Sequence, residues 1–284
     1  MGDLLPMSVL MAKAYKEGYA IPAFCSWNAE STEMVLKTAA KLKAPVIVMS
    51  GPGEFPLVRP DVLAAITRHL IKKYPVPAAL HLDHGDSLEL VDECLAAGYT
   101  SAMLDYSTKP WDENVNALRE VVKHCRPKGV TVEGEIGHVG KADTMSVESD
   151  RESTLTQPEE AVAYVEATGV DVLAISIGNA HGHYTRLPRF DFDRLAAIRK
   201  AVSVPLVLHG GSGTPAEDLR RAISLGMAKV NVATDLVTTV RNALMKQWQG
   251  AKQQWVPTTM AVATAALEEV IERWLRATGA VGKA

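Results

Sequence analysis

Short apolar runs alternate with longer stretches of helical periodicity from one end of the chain to the other. Eight runs, at 20–24, 45–49, 76–80, 100–104, 130–134, 172–176, 205–208 and 229–232, read as strands, and most of them are almost continuously apolar. That pattern marks strands buried on both faces, as in a parallel sheet. Between them, apolar residues recur at helical spacing and predict helices over 29–43, 60–74, 87–97, 111–125, 158–168, 191–202, 215–225 and 235–248. Further helices are predicted at the two ends, over 7–17 and 258–278. Ser87 stands ready to cap the helix that follows it. The strand-then-helix alternation over about 230 residues is the usual size of a closed barrel. The chain is therefore read as α/β, a single (β/α)8 TIM barrel over 1–284 with extra helices at the termini. An open doubly wound sheet is the alternative, but no GxGxxG or P-loop supports it.

A barrel predicts where polar residues should gather, because its active site lies at the C-terminal ends of the strands. Asn28, Ser50, Asp83 with His84, Asp105, Glu135, His181, His209 and Asn231 stand at or just past the eight strand ends in order. Three of these ends deliver a histidine followed by glycine: His84-Gly85, His181-Gly182 and His209-Gly210. Three imidazoles are one ligand set of a catalytic zinc, which keeps its fourth position open. Their wide sequence separation means that only the fold could bring them together. His81 is a weaker candidate, pointing inward or supporting a ligand, while His69, His124 and His138 read as surface residues. His183 could face solvent or substrate.

Asp83, beside one candidate ligand, suits a general acid/base, with orientation of a metal-bound histidine as the bland alternative. Asp105 and Glu135 could hold a second cation or make ordinary hydrogen bonds. The loops after strands seven and eight often bind phosphate in such barrels. Here they read Gly210-Gly211-Ser212-Gly213 and Asn231-Val232-Ala233-Thr234, and both lead into helices whose first N–H groups favour an anion. No lysine among the predicted strands is singled out by its surroundings.

Composition narrows the setting. The 284 residues are 47% hydrophobic and 22% charged with a formal net charge of −3, so no basic stripe invites nucleic acid. No apolar run is long enough to span a membrane, and the N-terminus lacks the features of a signal peptide. The three cysteines, without CxxC spacing, read as reduced thiols of a cytoplasmic protein. The long polar stretch 137–157 reads as a functional or disordered loop.

These residues carry a resemblance over nearly the whole chain. The stretches 81–85 (HLDHG), 105–107 (DYS), 132–137 (VEGEIG), 178–184 (GNAHGHY), 207–213 (VLHGGSG) and 229–235 (KVNVATD) resemble the class II, zinc-dependent ketose-bisphosphate aldolases. The resemblance is greatest to their tagatose-bisphosphate branch. It implies Zn²⁺ on His84, His181 and His209, and Asp83 moving the proton of the C4 hydroxyl. It also implies dihydroxyacetone phosphate held by Gly182, Gly210 to Ser212 and Asn231 to Thr234. Asn28 and Ser50 are further candidates to contact the sugar phosphate. In such a reaction carbon–carbon cleavage leaves an enediolate, whose charge the metal stabilises, and no Schiff-base lysine is needed.

The chain also departs from the family pattern. Where members carry a mobile loop of type Gly-Gly-x-Glu-Asp, residues 140–144 read GKADT, with Asp143 and Glu148 as the remaining acids able to replace the missing glutamate. Ala233 stands where fructose-specific members carry Asp, which favours the tagatose branch. Val237 stands where the family tends to place Arg or Lys, which predicts tolerance of ketose 1-phosphates beside 1,6-bisphosphates. The resemblance further implies a homo-dimer or homo-tetramer, and in the tagatose branch an accessory subunit. A metal-binding, partner-dependent subunit without turnover of its own is the competing reading.

Overall fold

The eight predicted strands all form, and they close into one ring. In the computed structural model, which describes residues 3–140, 154–182, 188–249 and 255–284, the strands are β1 (Ile21–Cys25), β2 (Val46–Ser50), β3 (Ala78–Gly85), β4 (Ser101–Leu104), β5 (Thr131–Ile136), β6 (Val172–Ile175), β7 (Leu206–Leu208) and β8 (Met227–Val232). Neighbours pair in parallel, and the pairing of β1 with β8 closes the barrel. Every strand residue except two is buried. The two are Asp83 and His84, at the open end of β3.

Helices coat the outside because each carries one apolar face. In the helix Trp111–Cys125, for example, Val115, Leu118, Val121, Val122 and Cys125 are buried, at spacings of three and four. Ser87 caps the helix Leu88–Ala97 by accepting a hydrogen bond from the Leu90 N–H. The opening helix Met7–Glu17 lies against the other end of the barrel. Met7 and Met11 are fully buried, and the Ser8 N–H donates to Thr131 Oγ1 at 2.9 Å, at the start of β5. That end is thus plugged, and only the C-terminal ends of the strands remain open.

Two elements differ from the sequence reading. The single helix predicted over 258–278 is two, Val256–Ala265 and Leu267–Ala277. The second lays Leu267, Val270, Ile271, Trp274 and Leu275 into the core, and its Glu268 pairs with Lys41 at 2.7 Å. Tertiary packing sets that break, because Ala265 and Ala266 are good helix formers.

The other difference shapes the site. The third strand runs on past the apolar run 76–80 and takes in the motif 81–85. Leu82 pairs with Ala102 and Gly85 with Leu104, so β3 fits one extra residue into that interval. His84 absorbs this bulge at a φ of +47°, a conformation uncommon for a residue with a side chain. Strict alternation would send Asp83 and His84 to opposite faces. The bulge lets both reach the mouth.

Candidate metal centre and active-site mouth

Period-two alternation on the strands places a layer of polar groups inside the barrel. His81, Ser101, Glu133 and Lys229 are all fully buried. Glu133 links two of the layers, its Oε2 2.8 Å from Lys229 Nζ and its Oε1 2.8 Å from His209 Nε2. His81 hydrogen-bonds Ser101 Oγ through Nδ1 at 2.8 Å, and its Nε2 lies 3.4 Å from Lys229 Nζ. His81 therefore sits beneath the mouth, with Asp83 and Glu133 beside it. Lys229 corrects the expectation that no strand lysine stands out. A buried ammonium needs a partner, and here it is Glu133.

Above this layer His84, His181 and His209 converge, with ring centroids 4.7–5.7 Å apart and ligand nitrogens within 4.8 Å of one another. The closest pair is His209 Nδ1 and His84 Nε2, at 3.0 Å. Each of these two rings is held from behind by a carboxylate. Asp105 Oδ2 accepts from His84 Nδ1 at 2.7 Å, and Glu133 Oε1 accepts from His209 Nε2. Those bonds orient both rings, so that His84 Nε2 and His209 Nδ1 face the common centre. Carboxylate-backed imidazoles of this kind are typical of metal sites. Asn179 anchors the next element, its side-chain amide donating to the His209 carbonyl at 3.0 Å.

Asp105 and Glu135 lie around the same centre with His84. Glu135 Oε2 is buried without a hydrogen-bond partner, 3.4 Å from His209 Nδ1. A buried carboxylate oxygen left in that state is costly. The three imidazoles and this orphaned oxygen therefore fit a divalent cation. Burial and the neighbouring Asp105 push the Glu135 carboxyl up to about 8.

The protonation states favour the same use. Burial pushes His181 down to about 4 and His209 well below its ordinary value, so both are neutral imidazoles at neutral pH. Burial acts against charge on His84 as well, but the carboxylates of Asp83 and Asp105 overcome it and lift His84 to about 10. A metal must displace that proton. Metal binding near pH 7 is therefore expected to release at least about one proton per site, with affinity rising as pH increases toward the His84 value. Titration of metal into the chelated protein in two buffers of different ionisation enthalpy measures this. A proton count of zero would contradict the assigned states.

Asp83 Oδ1 accepts from the Asn231 side-chain amide at 2.8 Å, and its Oδ2 stands 4.0 Å from His84 Nε2. Burial would raise the Asp83 carboxyl, but the positive charges of His84, foremost, and of Lys229 outweigh it and hold the group below its ordinary value. Asp83 is thus a carboxylate poised to accept a proton. Asn231 Oδ1 remains buried without a partner at the edge of the cavity.

The cavity over these groups is lined on one side by Gly182, Gly210, Ser212, Asn231, Ala233 and Thr234. Gly210 has a φ of +64°, and a Cβ there would lie 2.0 Å from the Ala180 carbonyl oxygen, so only glycine lets these loops meet. Ser212 Oγ accepts from the Asp235 N–H at 3.1 Å, in the first turn of the helix Thr234–Trp248. Gly211 ties the two loops together by donating to the Asn231 carbonyl, and Val232 is fully buried. Neither is among the lining residues.

Asn28 and Ser50 do not line the cavity, and each has a partner within the protein. Asn28 caps the helix Ala29–Lys41, its Oδ1 accepting from the Ser31 N–H at 2.9 Å. Ser50 Oγ bonds Tyr99 Oη at 2.8 Å. Asp143, Glu148 and His183 lie outside the described residues. The residues that sequence reasoning missed are Glu133, Lys229 and Glu54, the last a carboxyl on the opposite wall of the cavity. For Glu133 and Lys229 a signal existed, namely a charge at an inward position of an otherwise apolar strand. Among the described residues no helix is long and apolar enough to cross a membrane.

Comparison with known proteins gives this constellation a context. The YdjI aldolase of Escherichia coli K12 superposes with a TM-score of 0.88 at 33% identity, over 99% of this chain and 100% of that one. A Coccidioides immitis protein provisionally named a fructose-1,6-bisphosphate aldolase follows at 0.86 and 30%, over 97% and 96%. The fructose-bisphosphate aldolase of Campylobacter jejuni shares the fold at 0.85 and 23%, over 100% and 97%. The description "Fructose-bisphosphate aldolase class-II" matches residues 6–283. With that span and these neighbours, the chain belongs to the class II fructose-bisphosphate aldolase family.

Proposed function

We propose that the protein is a zinc-dependent aldolase that reversibly cleaves a ketose 1-phosphate or 1,6-bisphosphate into dihydroxyacetone phosphate and an aldehyde. The observation that carries this reading is the convergence of His84, His181 and His209 beside an ionised Asp83. Zinc bound by the three imidazoles would supply Lewis-acid polarisation of the ketose oxygens, worth several kcal/mol. Asp105 and Glu135 stand where a second cation could be shared or where the first gains a further oxygen.

The remaining steps belong to the chain. Asp83 takes the proton of the C4 hydroxyl as the C3–C4 bond breaks and returns it in the reverse direction. Asn231 holds Asp83 in place through one amide hydrogen bond and offers its orphaned Oδ1 to a substrate hydroxyl. Gly182, Gly210, Ser212, Ala233 and Thr234 form the wall for the phosphate, with Gly211 and Val232 bracing the loops behind it. Binding energy from that phosphate fixes the reacting carbons without touching them. Ala233 favours a tagatose-type over a fructose-type ketose.

The test is release of dihydroxyacetone phosphate from a panel of ketose 1-phosphates and 1,6-bisphosphates by the purified protein, read by coupled reduction. Release from at least one ketose is expected. Silence across the panel, with metal bound, would favour the partner-dependent reading.

A further inference from the structure

One wall of the mouth lies apart from the histidines and the phosphate loops. The turn after β2 runs through Gly51, Pro52, Gly53 and Glu54, and all four line the cavity. In the eight-stranded ring β2 lies opposite β6, whose loop supplies His181 and Gly182. The turn packs directly on the backbone beside Asp83, because a Cβ at Gly51 would lie 2.2 Å from the Asp83 carbonyl oxygen. Glu54 is therefore held across Asp83 from the phosphate wall.

We propose that Glu54 is a specificity-determining residue that binds free hydroxyls on the aldehyde half of the substrate and disfavours a second phosphate there. The inference rests on the aldolase reading, which places the C4 hydroxyl at Asp83. Carbons beyond C4 then extend away from the phosphate wall, toward the turn that carries Glu54. Its carboxylate is fixed before any ligand arrives. Oε2 accepts from the Gly51 N–H at 2.8 Å and Oε1 from the Cys25 thiol at 3.3 Å, while the Glu54 N–H donates to the Gly51 carbonyl at 3.0 Å. Each oxygen keeps an acceptor position, and two acceptors on one planar group match neighbouring hydroxyls.

The same carboxylate repels a phosphate. Among the described residues that line the cavity, none is lysine or arginine to offset it. Val237, the position at which a cation was expected, is half exposed on its helix and does not line the cavity. The favoured product is thus a neutral polyhydroxy aldehyde.

The condensation direction separates the two claims. Zinc-loaded protein is given dihydroxyacetone phosphate with either glyceraldehyde or glyceraldehyde 3-phosphate, and kcat/KM is measured for each aldehyde. Wild type is expected to favour glyceraldehyde. Glu54→Gln, with Glu54→Ala as a second variant and metal content as the check on folding, is expected to move the ratio toward the phosphorylated aldehyde by at least about fivefold, chiefly through KM. A wild-type preference for glyceraldehyde 3-phosphate, or a smaller change in the ratio, overturns the role of Glu54 and leaves the aldolase reading standing. No consumption of dihydroxyacetone phosphate with either aldehyde overturns both.

Discussion

His209→Ala should lose bound metal and aldol cleavage together. His209 is fully buried, and Glu133 holds its ring from behind, so the ring is oriented toward the centre before any metal arrives. Removing a carboxylate that merely orients a ligand costs about 10–100-fold in metal affinity, so removing the ligand should cost more. The substitution also leaves Glu133 with Lys229 as its remaining strong partner, in a cavity where an imidazole stood. His181→Ala is the gentler companion, because His181 is partly exposed at the mouth. Metal analysis after gel filtration, paired with the cleavage rate of the same sample, reads both effects. Either variant retaining stoichiometric metal and full rate would remove the three-histidine centre from the account.

Asp83→Ala should separate the two properties. Its nearest approach to a candidate ligand nitrogen of His84 is 4.0 Å, and its own hydrogen bond goes to Asn231. Metal should therefore stay, substrate should still bind, and cleavage should fall by about 10²–10⁴-fold, the usual worth of a positioned general base. The sign of the pH dependence follows from the site. Because Asp83 is held below its ordinary value, the acid limb of kcat/KM that it sets lies below the usual carboxylate range, and activity is retained as pH rises from there. Loss of metal in Asp83→Ala would show instead that its carboxylate holds the centre together.

The barrel was legible in the sequence because parallel strands buried on both faces leave continuous apolar runs, and all eight runs became strands. The histidine trio was legible for a related reason. A strand end in a barrel is a fixed place, and three ends carried the same His-Gly pair. What the sequence could not show was the geometry at those ends. The bulge at His84 depends on the pairing of β3 with β4, which no local pattern encodes. Asn28 and Ser50 occupy the expected positions, yet a helix N-terminus and Tyr99 engage their side chains first. The Lys229–Glu133–His209 chain joins three strands across the barrel, and Glu54 meets Asp83 only through the packing of Gly51. Such contacts arise from closure of the ring.

Aldol cleavage at this centre should depend on its metal. The decisive experiment follows release of dihydroxyacetone phosphate from ketose phosphates by protein stripped with chelator and then titrated with zinc. Release is expected to be lost on stripping and to return in proportion to zinc, reaching a plateau near one ion per chain, or near two if Asp105 and Glu135 bind their own. Undiminished release from the stripped protein would contradict that dependence.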